Sequence, residues 1–358
     1  MSSHNQRRLV LAALMFLIFA ACEQPTPKPK VLKVQGSTMG TSYHITAIDP
    51  ISTELKVSVD SLLVEINREV NTYDSTSLIS RLNRGDTLML PTISNAEQLI
   101  SVPGGHLAAN LQLALKPISL SEGAFDPTVG PLTEYYGFGA SDRSNTPVAE
   151  GEIKRLLKYV GFSNIKIDTI DANALTVYVN RIGVRLDLSA IAKGYAVDQL
   201  AHLVETRFKS SSYFVEIGGE TRAAGRSPRD TEWTIGVNRP QVGASVSNLE
   251  LIIGISDAAI ATSGNYRNRR IIDGKAFVHT IDPQTGIAKA SSLLSATVVA
   301  PDCATADAFA TACMASAENA EKVLAKAGLS GCLIFASKDS SFNTKYVGDF
   351  EKYVLASN

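Results

Sequence analysis

Five short β-type segments, at residues 213–217, 233–237, 249–255, 277–281 and 296–299, follow one another without a helical pattern between them. Further β-type stretches lie at 165–167, 175–179, 184–186 and 332–336. Residues 31–48 read as two strands, or one bent strand, around a turn at 36–40. Helical patterns come only between such groups, at 53–70, 106–120, 150–160, 190–208 and 304–327, the last being one long helix or two shorter ones. Strands that arrive in groups rather than in regular strand–helix alternation predict an α+β fold. We therefore expect mixed, mainly antiparallel sheets packed with helices in one integrated domain over residues 31–358. A doubly wound parallel sheet is disfavoured.

The helical readings rest on spacing. Leu55, Val59, Leu62, Leu63, Ile66 and Val70 recur on one face of a 3.6-residue helix, with Ser52 or Thr53 available as a cap. Pro117 marks trouble near the end of 106–120. With 45% hydrophobic and 19% charged residues the chain can bury a sizeable core. Its 34 basic and 35 acidic residues contain no long basic run, so a nucleic-acid surface is not indicated.

The N-terminus differs from the rest. Arg7 and Arg8 precede an unbroken apolar run over residues 9–19, then Ala20, Ala21 and Cys22. The run is too short to span a bilayer, which takes about 20 residues, and has the layout of a secretory signal. It resembles a bacterial lipoprotein signal, with residues 1–21 removed and Cys22 lipidated, although Phe19 stands where leucine is usual. Ordinary secretion with cleavage near Ala21 is the alternative. Residues 22–30, with three prolines, suit a semi-rigid spacer. Setting Cys22 aside, Cys303, Cys313 and Cys332 are an odd number in apolar surroundings. They read as buried small hydrophobes, of which one pair could bridge.

The common functional fingerprints are absent. There is no phosphate loop, no His-Glu-x-x-His helix and no Gly-x-Ser-x-Gly elbow, and Gly137-Phe138-Gly139 lacks the context of a dinucleotide fingerprint. Four other constellations remain. Residues 121–132 set Phe125 and Asp126 within a Gly- and Pro-rich path that could grip a planar ring or a ribose, or form a plain turn in which Asp126 binds backbone. Residues 186–198 run from strand through turn to helix. Ser189 can cap there, and Lys193 sits in a first turn whose free N–H groups attract anions; a routine cap with a solvent lysine is equally compatible. Asp307 and Thr311 are one helical turn apart among small apolar neighbours, a hard-cation arrangement or simply an Asp–Thr hydrogen bond. Residues 260–267 and 279–286 read as polar turns at strand ends. His279 could touch a base or phosphate or be structural, and a Ser263–His279–Asp282 triad lacks a supporting elbow.

Taken in order, these segments resemble the ApbE family of FAD:protein FMN transferases. Met39-Gly40-Thr41, Asn71-Thr72-Tyr73-Asp74, Ser80-Arg81-Leu82-Asn83, Ile217-Gly218-Gly219-Glu220 and the stretch ending at Trp233 extend the likeness over nearly the whole mature chain. The resemblance implies an α+β fold related to the T-fold class, in proteins that are often periplasmic lipoproteins anchored at the inner membrane. It implies Mg²⁺ held by Asp307, Thr311 and the backbone carbonyl of Ala192. It places Met39, Tyr73, Ala124, Phe125, Asp126, Ser189, Lys193, Tyr195 and His279 around FAD, with the Tyr73 ring over the isoalloxazine. Asp307 and His279 are the expected catalytic residues. The implied reaction moves FMN from FAD to a Ser or Thr hydroxyl of another protein, through a phosphoester bond, and releases AMP. Expected acceptors carry a Ser/Thr-Gly-Ala-Thr motif, as in flavin subunits of membrane redox pumps. This chain lacks that motif, so self-flavinylation is not expected. Mg²⁺-dependent hydrolysis of FAD to FMN and AMP, or flavin binding without turnover, are the competing expectations.

Overall fold

A computed structural model of the protein describes residues 29–92, 104–140, 148–241, 243, 245, 247–265, 269–272, 275–288, 290–337 and 341–357. The expected signal sequence, the expected lipidation site Cys22 and most of the spacer lie outside these residues. The remaining chain, Val31–Asn358, is one compact unit.

In chain order the elements are β1 (Val31–Thr38), β2 (Thr41–Ile48), α1 (Leu55–Val70), α2 (Leu78–Asn83), β3 (Leu88–Pro91), α3 (Gly105–Leu120), α4 (Gly130–Tyr135), α5 (Glu150–Leu156), β4 (Ile165–Thr169) and β5 (Ala174–Val179). There follow α6 (Ala192–Thr206), β6 (Ser212–Ile217), β7 (Glu220–Ala224), β8 (Trp233–Asn238), β9 (Leu249–Ile255), β10 (Ala258–Gly264), β11 (Arg269–Ile272), β12 (Lys275–Val278) and β13 (Leu293–Ala300). The chain closes with α7 (Cys303–Ser316), α8 (Ala320–Ala327), β14 (Ser330–Ala336), β15 (Phe342–Val347) and β16 (Val354–Ser357).

An eight-stranded sheet of order β1-β2-β6-β7-β10-β13-β14-β15 forms the frame, and every neighbouring pair in it is antiparallel. Smaller sheets β16-β9-β8 and β3-β5-β4 and the hairpin β11-β12 complete the fold. The α+β expectation therefore holds.

Side-chain alternation explains the layering. In β10, Ala259 and Ala261 join the large core shared with α1, α3, α6, α7 and α8, whereas Ala258 and Ile260 join a second core under β8 and β9. The strand is covered on both faces. Helix α7 is buried on nearly every side, with Cys303, Ala304, Ala306, Ala308, Phe309, Ala310, Ala312 and Cys313 all inaccessible or nearly so. Its alanines permit close approach by neighbouring backbones. Phe309 supplies the bulk, and truncating such a side chain costs about 3–5 kcal/mol.

Several expectations shift in detail. Residues 304–327 form two helices, parted at Ala317, where φ is +41°. Of residues 184–186, Val184 and Arg185 make isolated bridges and no strand forms. The helix expected over 150–160 ends at Leu156 and continues as a single 3-10 turn. Residues 260–264, read as a turn, belong to β10 at the centre of the sheet. Cys303, Cys313 and Cys332 are all free and buried. Burial pushes the Cys313 and Cys332 thiols up to about 12, so they are inert packing groups.

Candidate active site

The turn between β1 and β2 is two residues long. Met39 and Gly40 both have positive φ, +49° and +75°, which a primed hairpin turn requires and which glycine alone adopts without strain. This tip stands on the rim of a cleft of about 1180 Å³, large enough for a dinucleotide. The cleft is walled by residues drawn from most of the chain. They include Met39, Tyr73, Ala124, Phe125, Asp126, Ser189, Ala192, Lys193, Glu220, Ser263, His279, Asp307 and Thr311.

The rim is aromatic. Tyr73 is 64% exposed; its hydroxyl donates to the Phe138 carbonyl at 3.3 Å, and Phe138 meets His279 edge to face at 6.4 Å. A ring held at its far end but bare on its faces can cover a planar ligand. Deeper in, the Ser121 hydroxyl accepts from the Phe125 N–H at 2.9 Å. Asp126 accepts from the backbone of Thr128 at 2.8 Å and of Phe162 at 3.1 Å. Burial raises the Asp126 carboxyl against these bonds. Asp126 thus closes a turn, as the plainer expectation had it, and also lines the cleft.

The floor is built by two helices. Asp307, only 2% exposed, accepts from the Gly194 N–H in the first turn of α6 at 3.1 Å. Thr311, one turn further along α7, shares a 3.2 Å hydrogen bond with the Ser263 hydroxyl of β10. Lys193 Nζ lies 3.3 Å from Glu220 and 3.9 Å from Asp307 and donates to the Ser189 carbonyl at 3.1 Å. Burial opposes the charge of Lys193, yet Asp307 and Glu220 together keep it protonated well above the usual lysine range. Burial likewise raises both acids: Glu220 is pushed up to about 7, with Asp307 adding to the effect and Lys193 opposing it, and Asp307 rises against the pull of Lys193 and the Gly194 N–H.

A third carboxylate, largely enclosed, latches the two helices together. Asp198 of α6 accepts from Cys303 N–H and Ala304 N–H, both at 2.9 Å, at the start of α7. It also accepts from Arg222 at 2.8 Å. Burial pushes Asp198 up to about 6 despite these partners. The first turn of α7 thus receives a carboxylate, which satisfies its free N–H groups and its dipole.

Two sequence expectations need correction. Tyr195 does not line the cleft. It is 1% exposed, and its hydroxyl sits 2.8 Å from His106 Nδ1 in the core. Residues two apart on a helix point roughly 200° apart, so a helix that turns Lys193 toward the cleft turns Tyr195 away. Ser189 lines the cleft but does not cap α6, because its hydroxyl and N–H both go to Asp187. The Ser263–His279–Asp282 triad finds no support either: the Ser263 hydroxyl pairs with Thr311, and Asp282 accepts from Gln284 and Thr285 within its own turn. Glu220 went unnoticed as a site acid, although the preceding Gly218-Gly219 pair signalled a tight turn. Ser263 as the neighbour of Thr311 had no signal in the sequence.

Among the described residues no group of three or more His, Cys, Asp or Glu is placed to hold a metal ion. The donor set on the floor is one buried carboxylate, neutral hydroxyls and backbone oxygen, beside a second buried acid with an unpartnered Oε2. That chemistry fits a hard divalent cation that completes its shell with water or phosphate oxygens.

A model of the ApbE family matches residues 39–333. The chain belongs to the ApbE family. Among curated ApbE relatives, the FAD:protein FMN transferase of Haemophilus influenzae is 33% identical over 96% of each chain. That of Vibrio cholerae is 32% identical over 97% of this chain and 99% of its own. Solved ApbE structures superimpose over most of the molecule. The flavin transferase ApbE from Vibrio cholerae gives a TM-score of 0.76 at 32% identity, covering 91% of this chain and 99% of that one. The apo flavinyl transferase ApbE of Pseudomonas stutzeri gives 0.75 at 27% identity, with coverage of 92% and 98%. The single-domain, mainly antiparallel architecture is therefore the ApbE fold.

Proposed function

We propose that this chain is an FAD:protein FMN transferase that moves the FMN half of FAD onto a Ser or Thr hydroxyl of another protein. The observation that carries this reading is the cleft floor. A buried carboxylate, a hydroxyl one turn away and a lysine lie together beneath a cavity of dinucleotide size with an aromatic rim. The family and the relatives named FAD:protein FMN transferase agree with it.

The acceptor oxygen attacks the phosphorus on the FMN side of the diphosphate. A new P–O bond forms, the bridging P–O bond breaks, and AMP departs with the electron pair. Asp307, Thr311 and the carbonyl of Ala192 would hold Mg²⁺, which supplies neutralisation of diphosphate charge when bound. Lys193 presents a fixed positive charge on the same floor. Tyr73 covers the isoalloxazine and Phe125 packs beneath the path of the ligand. His279, on the wall beside Phe138, and Asp307 would take the hydroxyl proton.

Acceptors with a Ser/Thr-Gly-Ala-Thr motif, such as flavin subunits of membrane redox pumps, fit this chemistry. Lipidation at Cys22 would tether the enzyme to the periplasmic face of the inner membrane. No helix among the described residues is long and apolar enough to cross a membrane.

The decisive test mixes the protein with FAD, Mg²⁺ and a peptide bearing that motif, and follows both products by mass spectrometry. One FMN added to the peptide is expected. Free FMN with unmodified peptide would make the protein a hydrolase, and intact FAD would make it a flavin carrier.

A further inference from the structure

One ammonium and two carboxyl groups meet on the cleft floor. The Lys193 ammonium is nearer to Glu220 Oε1, at 3.3 Å, than to Asp307 Oδ2, at 3.9 Å. Glu220 is 6% exposed, lines the cleft, and leaves its second oxygen buried without a hydrogen-bond partner. Its position is fixed by the turn that precedes it. Gly218 and Gly219 have φ of +62° and +109°, and a Cβ on Gly218 would meet the Thr41 side chain at 2.8 Å. A cation seated on Asp307 would compete with Lys193 for the same carboxylate. The two can coexist only where the ammonium has another partner, since a buried charge left alone is costly.

We propose that Glu220 is a positioning residue that draws the Lys193 ammonium toward itself and keeps it from closing further on Asp307, so that a divalent cation can share that carboxylate. The inference rests on the reading of Asp307 as the metal carboxylate. Without the charge of Glu220, Asp307 becomes the remaining acid beside Lys193, and the lysine occupies the place the cation needs. The Ser189 carbonyl, which Lys193 also touches, is neutral and cannot replace a carboxylate as its counter-charge.

The test is Mn²⁺ binding, followed by electron paramagnetic resonance on the full chain. It compares the wild type with Glu220→Gln, Lys193→Met and the double variant, with urea denaturation of each as a folding control. Glu220→Gln is expected to weaken Mn²⁺ about tenfold, and adding Lys193→Met to restore wild-type affinity or better. A double variant that stays as weak as Glu220→Gln would mean that Glu220 supports the site structurally or touches the metal itself, and would overturn the proposal. So would unchanged affinity in Glu220→Gln. Asp307→Ala serves as the separate control: if it leaves Mn²⁺ affinity intact, the metal reading of Asp307 fails, whatever the Glu220 variants do.

Discussion

Replacing Gly194 by alanine forces a methyl group into the contact between the two helices that build the cleft floor. The added Cβ would lie 2.3 Å from the Cys303 carbonyl oxygen, 2.6 Å from its carbon and 2.8 Å from Ala304 Cα. Ordinary contacts between such atoms are about 3.5 Å, so α6 and α7 must part by roughly 1 Å. All three obstacles are backbone, and no side chain can swing aside. Overpacking of this kind costs about 1–3 kcal/mol; with rigid atoms on both sides we expect about 3 kcal/mol. At a urea slope near 3 kcal/mol/M for a domain of this size, the unfolding midpoint falls by about 1 M. The same shift lengthens the Gly194 N–H bond to Asp307, so FMN transfer should drop at least tenfold under conditions where the variant remains folded. Gly151→Ala is the control. A Cβ there meets nothing within 4 Å, and alanine in α5 should add about 0.5–1 kcal/mol of stability. A Gly194→Ala protein with unchanged midpoint and unchanged transfer would refute the claim that helix proximity sets this site.

Three further outcomes follow from the same geometry. Asp307→Ala should abolish transfer and leave FAD affinity within severalfold of the wild type, measured by flavin fluorescence, and chelation of divalent cations should reproduce that pattern; full turnover in either case dismisses the metal assignment. Tyr73→Asn strips the exposed ring from the rim, so flavin should dissociate several times faster and the ratio of free FMN to modified peptide should rise, whereas an unchanged ratio would deny the ring its covering role. His106 is buried and held neutral, with burial lowering it from 6.5 to about 4. The unfolded chain therefore takes up this proton first as pH falls. The stabilisation is full above pH 6.5 and is lost progressively toward pH 4, by roughly 3 kcal/mol in all. His106→Gln should flatten the urea midpoint against pH in that window, and parallel curves for variant and wild type would contradict the assignment.

Much of the architecture could be read from the chain because most strands keep one face toward a core. β2 and β6 alternate cleanly, and α1 shows its stripe from Leu55 to Val70. β10 escaped for a physical reason. Covered on both faces, it lacks alternation, and its polar end at Thr262-Ser263-Gly264 has the composition of a turn. That polarity belongs to the site, since Ser263 reaches Thr311. Asp307 and Thr311 were legible because a carboxylate and a hydroxyl stand out in a helix made of alanine. Glu220 and Asp198 were not, since an acid in a strand or a helix reads as solvent-facing until tertiary packing encloses it. Tyr195 misled because it shares a motif with Lys193 while the helix turns it to the opposite side.

The walls of the cleft come from the β1–β2 tip near the start of the fold and from α7 near its end. During synthesis, a chain that has released Met39 and Tyr73 but not yet Asp307 and Thr311 possesses a rim without a complete floor. Sheet order imposes the same delay, because β10 lacks its second neighbour until β13 arrives. The floor of the cleft is thereby completed only when almost the entire fold has been made.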